Sequence, residues 1–473
     1  MKKASPDNYS GIAGLHWIRY GTAGDQKYLV GDFRETYDQL VINGNMVAHM
    51  PSSLSHFITQ RAQKPFVIDP QTHAFAHDLS HLQSTSKSSN GEIKRSWKRL
   101  LCNYGEHVNN IILEEFRPLD PEDFNKKDLC RDFVERVLAF QNNAITHELK
   151  EGEDREYLEF LQQETGTNPF IRPPSILIAP YFYIDGPLYD QWLDLNIRLL
   201  EDSQDLLNSK TDFQQFLAAQ LVLSKDILSE KSVRDDIIKK YSDAKPAAIL
   251  LWIDYFSEHS ASKFELMHYK ELLKGFADKG IPVVNLFGGF FSVALAKLKS
   301  EIINLKGVCH GLEYGETRPV VPLGGGMPVS RFYSRQLHHR LPPRVALRAI
   351  KELDGLKSVE AFYDKICKCE NCKSVINSDP STDLSVYMET KSSSFWRAGK
   401  RVSLEFPTST ASDNCTKHYL LCKQWEYREY WEYDNELDAA LLKKEFEEDS
   451  NLLRKVLGSE YAGHLSVWKD LIG

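Results

Sequence analysis

Three cysteines fall within six residues, at Cys367, Cys369 and Cys372. One tight loop can aim all three sulfurs at a common point, and thiolate together with imidazole is a standard ligand set for Zn2+. His418, in the stretch Thr416-Lys417-His418-Tyr419-Leu420-Leu421, is the expected fourth ligand. Cys415 and Cys422 flank it closely and are its rivals. Four protein ligands leave no open position, so the expected zinc is structural rather than catalytic. The competing reading, small cysteines that only pack in a core, fits poorly with neighbours such as Lys368, Glu370 and Asn371. Eight cysteines in a chain of 473 residues do not make a disulfide framework.

A second set of reactive groups is carboxylic. Asp69 and Asp254 each close a short apolar run, and Glu313 and Glu316 follow another. Two carboxyl groups around one sugar carbon can divide nucleophilic and proton-transfer work. A lone carboxylate at a strand end equally serves as a cap or a salt-bridge partner. A third set is basic. Thr317 to Lys351 contains no Asp or Glu but carries Arg331, Arg335, Arg340 and Arg344 among other cations. Arginine pairs with phosphate through two parallel hydrogen bonds, so this is the expected nucleic-acid surface, which Lys94–Arg99 would extend. A solvated helix face is the plainer reading. The run Gly324-Gly325-Gly326 lacks the Gly-Lys-Ser/Thr ending of a nucleoside triphosphate loop.

These groups need a scaffold. Gln39–Asn43 and Pro65–Asp69 are short apolar runs stopped by turn formers, and Ser52–Ala62 between them has a helical face, which makes a βαβ unit. Ser175–Tyr183 reads as a third strand. From Ala247 the alternation is compact: strand to Asp254, helix Ser262–Lys279, strand Ile281–Phe287, helix Phe291–Ile303, strand Gly307–Leu312. Pro319–Leu323 and Ser330–Leu337 bring the count to about eight. The expected fold is α/β, a (β/α)8 barrel with helical insertions and a C-terminal zinc-binding subdomain; a doubly wound open sheet is the runner-up. The barrel spans 1–360, with helical insertions at about 90–168 and 187–243, and the zinc-binding subdomain with a C-terminal helix spans 361–473. Residues 376–413 read as an exposed polar excursion, and 434–456 as a charged amphipathic helix.

The pattern Cys-x-Cys-x-x-Cys followed by His-Tyr-Leu-Leu resembles the zinc subdomain of the tRNA-guanine transglycosylases, including their DNA-modifying 7-deazaguanine branch. Ala361–Ile366 before it fits as well. Ile68–Phe75, Leu251–Phe256, Asn285–Gly289 and Gly311–Glu316 resemble successive strand ends of that family, in the family's order. The resemblance implies a barrel enzyme that replaces guanine in tRNA or DNA with a 7-deazaguanine derivative. It implies that Asp69 acts at the reacting base, that Asp254 binds the base edge, and that Gly288, Gly289 and Glu316 line the same pocket. Such a pocket suits a purine: a carboxylate takes its N–H donors, backbone N–H groups near glycines serve its carbonyl, and Tyr255, Phe256 or Phe287 offers a stacking face. The family's nucleophile stands on the last barrel strand, and the piece read for it here, Val329–Arg335, has no acid. Glu313 from the neighbouring strand, or Asp254 in a changed role, is the substitute. A degenerate barrel that binds nucleic acid or a purine without exchange, and a base-releasing hydrolase, are the alternatives.

Composition sets the outer bounds. Apolar content is 42%, charged content 26% and formal net charge −8, values of an ordinary globular protein and not of an indiscriminate nucleic-acid binder. No apolar run is long enough to span a membrane. Met1–Asp7 lacks a hydrophobic region behind its lysines and is not a secretory signal, so the expected location is cytoplasmic. The expected partners are tRNA or DNA and a 7-deazaguanine base, and the resemblance adds a homodimer or partner-protein complex.

Overall fold

The computed structural model describes residues 12, 14–86, 89–151, 173–210, 215–298, 303–312, 315–321, 329–397, 400–431 and 439–472. Glu313 and the glycine run 324–326 lie outside them, as does 152–172 of the first insertion. The chain divides into two units. The first comprises Met1–Phe256, His268–Gly288 and Ile302–Leu323, and the second Ser257–Met267, Gly289–Glu301 and Gly324–Gly473.

The first unit is a closed parallel barrel. Its strands are β1 (His16–Tyr20), β2 (Gln39–Asn43), β3 (Phe66–Asp69), β4 (Ile176–Ile178), β6 (Phe216–Leu223), β7 (Ala248–Ile253), β8 (Val283–Asn285) and β9 (Leu305–Gly311), with the two-residue β5 (Tyr183–Ile184) paired beside the end of β6. The ring closes because β4 pairs directly with the first residues of β6, ahead of the short β5 at its far end, and β9 pairs with β1, Trp17 opposite Cys309. Strands buried on both faces need apolar residues at consecutive positions. Trp17, Val41, Val67, Ala218, Leu250 and Val284 belong to one buried cluster. The alternating residues Ile18, Leu40, Ile68 and Ile249 are equally buried on the opposite face of their strands. The seam between β3 and β4 has one register pair, Val67 with Ile176. A side chain repairs it: the Gln141 amide donates to the Ile178 carbonyl (2.8 Å) and accepts from the Ile178 N–H (2.9 Å). Gln141 stands in the helix Lys127–Glu151 of the first insertion, so that insertion helps to close the barrel.

The barrel is the expected fold, but two of its strands are not the expected ones. β1, His-Trp-Ile-Arg-Tyr, was hidden by its polar residues. β6 runs through the segment read as the second helical block, because Leu, Ala and Gln are good helix formers and tertiary pairing overrode that preference. Conversely, 319–321 form no strand, and Ser330–Leu337 contributes only β10 (Phe332–Ser334), which makes an antiparallel hairpin with β11 (His339–Leu341) in the second unit. The last barrel strand is therefore β9.

The second unit packs the helices Pro343–Glu352, Val359–Lys365, Ser409–Trp431, Ala439–Leu457 and Ser459–Leu471 around β10 and β11. Its polar keystone is Glu426, 1% exposed, which accepts from the Tyr333 hydroxyl (2.8 and 2.9 Å) and faces His338 Nδ1 at 2.8 Å. The polar excursion contains an antiparallel ribbon, β12 (Thr390–Arg397) and β13 (Lys400–Pro407). Among the described residues no helix is long and apolar enough to cross a membrane.

Candidate active site and metal centre

All barrel strands run in the same direction, so their C-terminal ends gather at one mouth. There Asn43 ends β2, Asp69 ends β3, Asn285 ends β8 and Asp254 follows β7. Arg19, one residue before the end of β1, reaches across: its Nη1 donates to Asn43 Oδ1 (2.7 Å) and to Asp69 Oδ2 (2.9 Å). The other carboxylate oxygen of Asp69 accepts from the Tyr181 hydroxyl (2.6 Å) and the Gln71 N–H (3.0 Å). Asp69 is 0% and Arg19 3% exposed. Burial opposes the charge on Asp69, but the Arg19 guanidinium, His73 and the Tyr181 hydroxyl outweigh it and hold the carboxyl below its ordinary range. The guanidinium also lies over Phe287 (5.1 Å) and Trp252 (5.7 Å). His73 stacks on Tyr181 and stands edge-on to Trp252; burial pulls it down to about 3, so it is neutral.

Asp254 differs from Asp69. It is half-buried, its Oδ1 accepts from the Val320 N–H (2.7 Å), and its Oδ2 accepts from the Tyr183 hydroxyl (3.0 Å). Burial and the nearby Asp254 charge keep the Tyr183 hydroxyl protonated, so it is a fixed donor. Tyr255 beside it has φ of 50° and is 49% exposed, a left-handed conformation that turns its ring outward at the strand end. Gly288 is required by packing: a Cβ there would lie 2.5 Å from Asn285 Nδ2 and 2.9 Å from Val308 Cγ1. Gly289 caps the helix Phe290–Lys297 in the second unit. Gly311 and Gly315 exchange backbone hydrogen bonds beyond β9 (2.9 and 3.1 Å), and Glu316 follows, half-buried.

The basic residues separate into two groups within the second unit. Arg335 stacks on the Trp425 ring at 3.2 Å and Arg340 lies over the Tyr419 ring at 4.6 Å, whereas Arg331 and Arg344 are exposed.

The cysteine cluster converges with His418. His418 Nε2–H donates to the Tyr333 carbonyl (2.8 Å) and its ring stacks on Phe332, which turns Nδ1 toward the sulfurs. Nδ1 is 3.3 Å from Cys372 Sγ and 3.5 Å from both Cys369 Sγ and Cys422 Sγ, and Cys367 Sγ is 3.6 Å from Cys422 Sγ. Tetrahedral Zn2+ with bonds of about 2.3 Å to sulfur and about 2.0 Å to nitrogen places its ligand atoms roughly 3.5–3.8 Å apart. The donor set therefore fits a metal such as zinc. Cys367, Cys369, His418 and Cys422 bring their ligand atoms within 4.8 Å of one another, a buried Cys3His set. Hydrogen bonds with the Cys369, Cys372 and Cys422 thiols hold Cys367 well below the ordinary thiol range, as a metal thiolate requires.

Of the expected set, Cys367, Cys369 and His418 converge, and the fourth member of the group is Cys422 rather than Cys372, whose Sγ lies 3.3 Å from His418 Nδ1 and 3.4 Å from the Tyr387 hydroxyl. Cys415 is directed elsewhere, its Sγ 3.8 Å from the Tyr387 carbonyl. Cys422 was recognisable as a partner of His418, because positions four apart share a helix face. Arg19, Asn43 and Tyr181 were missed at the barrel mouth. β1 was not read as a strand, and a tyrosine carries no positional signature of its hydrogen-bond partner.

Fold and cluster together define an α/β protein with a closed eight-stranded parallel barrel and a Cys3His cluster in a separate C-terminal unit. No family model matches the chain, and no curated protein matches it in sequence.

Proposed function

We propose that the chain is a transglycosylase that exchanges guanine in a nucleic acid for a 7-deazaguanine. The observation that carries this reading is the placement of Asp69 and Asp254 at the C-terminal mouth of a closed parallel barrel, on a chain that also holds a Cys3His cluster. The order of these parts along the chain is that of the tRNA-guanine transglycosylases.

The two carboxylates take different work. Asp254 is half-buried and oriented by a hydroxyl and a backbone N–H, so it is the group to face the N–H edge of a purine. Asp69 is enclosed and paired; its role is to anchor Arg19, Tyr181 and the β3 end around the pocket. The last strand is β9, and Glu313 follows it by two residues, which makes Glu313 the nucleophile of this reading. The target base is extruded from its stack. A carboxylate oxygen bonds to C1′ as the C1′–N9 bond breaks, and the departing guanine takes a proton at nitrogen. Asp254 is the acid–base group of this reading: it gives the departing guanine its proton and takes back the N9 proton of the incoming base, whose N9 attacks C1′ as the C1′–carboxylate bond breaks. Zinc holds the second unit's fold and takes no part in these steps.

The test is mass spectrometry of nucleosides released from tRNA and from duplex DNA after incubation with a 7-deazaguanine base. Asp254→Asn and Glu313→Gln should each abolish the modified nucleoside while leaving the melting temperature unchanged. Full activity in Glu313→Gln would remove the assigned nucleophile. A second reading, binding without exchange, is favoured by the enclosure of Asp69 and by the absence of any acid between Thr317 and Lys351. It predicts salt-dependent nucleic-acid binding with no modified nucleoside.

A further inference from the structure

Between Cys372 and His418 the second unit carries the β12–β13 ribbon, eight residues on each strand, registered from Thr390 opposite Pro407 to Arg397 opposite Lys400. At about 3.4 Å per residue the ribbon is about 27 Å long, and its two strands lie about 4.8 Å apart. Two-stranded ribbons are marginal in water unless something covers a face.

One face is defined by the register. Thr390, Ser392 and Ser394 stand on β12, and Arg401, Ser403 and Glu405 stand on β13, all of them exposed. Their side chains form a hydroxyl ladder, Ser392 to Ser403 at 2.9 Å and Ser394 to Ser403 at 3.3 Å, closed by Thr390 donating to Glu405 at 2.9 Å. Lys391 and Lys400 on the other face are also exposed. The ribbon sequence holds four basic residues, Lys391, Arg397, Lys400 and Arg401, against one acid, Glu405, on a chain whose net charge is −8. The hydroxyl face and the excess of basic over acidic residues, on an acidic protein, make the ribbon complementary to a polyanion; Val402, Leu404 and Phe406, on the face that also carries Lys391 and Lys400, are half-buried.

Groove dimensions choose the polyanion. The major groove of B-form DNA is about 12 Å wide and about 8.5 Å deep and admits a two-stranded ribbon, with serine and threonine hydroxyls able to meet either base edges or phosphates. The major groove of A-form RNA is deep and too narrow for side chains to read. We propose that the β12–β13 ribbon enters the major groove of duplex DNA, with Lys391, Lys400 and Arg401 on the phosphates, and that duplex DNA rather than tRNA is the nucleic acid this chain engages. The choice of a nucleic-acid partner rests on the function proposed above; the choice of DNA rests on the ribbon.

The experiment uses the full, metal-loaded chain with a 30-base-pair DNA duplex, an RNA duplex of the same sequence and an unmodified tRNA transcript. Binding is measured by fluorescence anisotropy across a salt series. Each phosphate contact contributes about 0.9 to the slope of log K against log salt. The triple variant Lys391→Ser, Lys400→Ser, Arg401→Ser should lower the DNA slope by about 2.7 and weaken DNA binding about 100-fold at about 0.15 M salt. RNA-duplex and tRNA binding should be weaker than DNA binding in the wild type and unchanged by the variant. Glu405→Gln, which removes the one acid, should tighten DNA binding severalfold; it keeps the proposal open to refutation if the triple variant folds poorly. Unchanged DNA binding in both variants, or equal losses on RNA and DNA, overturns the proposal. So does a dimer in the wild type that becomes a monomer in the triple variant with DNA affinity unaltered. DNA binding without base exchange would defeat the transglycosylase reading and leave the ribbon standing; exchange on tRNA alone would defeat the ribbon and spare the enzyme.

Discussion

Replacing Arg19 by Met removes the cation from a buried ion pair and leaves Asp69 enclosed. Breaking such a pair from one side costs about 3–5 kcal/mol, because the remaining charge stays buried. Asp69 keeps the Tyr181 hydroxyl and the Gln71 N–H, so the lower end, about 3 kcal/mol, applies. For a barrel unit of roughly 300 residues, an unfolding entropy of about 2.1 cal/mol/K per residue converts this to a fall of about 5 °C in Tm. The loss depends on pH in a definite direction. In the wild type the Asp69 carboxyl titrates below its ordinary value, so its contribution is complete above the unfolded value of about 3.9 and is lost as pH falls through the folded value. In the variant, burial acts without the guanidinium and raises the carboxyl, which then takes up a proton as pH falls from neutral and relieves the penalty. The Tm difference between the two proteins, read by differential scanning calorimetry, should be widest near neutrality and narrow toward about pH 5. Adding Asp69→Asn to Arg19→Met should recover part of the loss. A cost below about 1 kcal/mol at neutral pH, or a Tm difference that does not change with pH, would refute the assignment of Arg19 and Asp69 as a buried ion pair.

Two further outcomes follow from the same geometry. Elemental analysis should find one zinc per chain; His418→Ala should lose it and melt the second unit early, while Cys415→Ser retains it, because Cys415 Sγ faces the Tyr387 carbonyl. Gly288→Ala should lower stability by about 1–3 kcal/mol in chemical unfolding, because its Cβ would meet Asn285 and Val308 at sub-van-der-Waals distances.

The sequence made the barrel legible where its strands are uniformly apolar. β2, β3, β7 and β8 are short runs rich in Val, Ile and Leu ended by turn formers, whereas β9, Leu-Lys-Gly-Val-Cys-His-Gly, was marked by its place in the strand–helix alternation. It hid β1 because Arg19 and His16 break the apolar run, and Arg19 is there to meet Asp69 from the second strand over, past β2. It hid β6 because Phe-Leu-Ala-Ala-Gln-Leu-Val-Leu satisfies helical preference as well as strand pairing. The metal cluster was readable from spacing because its ligands come from one loop and one helix. The candidate active site was half readable. Carboxylates at strand ends could be found in the chain, but which of them is enclosed depends on Arg19 and Tyr181, far away in sequence. The polar stretch 376–413 looked like an exposed loop because Ser, Asp and Lys are weak strand signals; cross-strand register turned much of it into a ribbon.

The central claim is base exchange, and the most direct measurement is incorporation of radiolabelled guanine into unlabelled duplex DNA and tRNA by the metal-loaded protein. Guanine-for-guanine exchange needs no knowledge of which deazaguanine is the natural donor. The account predicts label in acid-precipitable nucleic acid that grows with enzyme and time and is absent with Asp254→Asn. No label in either nucleic acid, from protein that is folded and binds one of them, would contradict it.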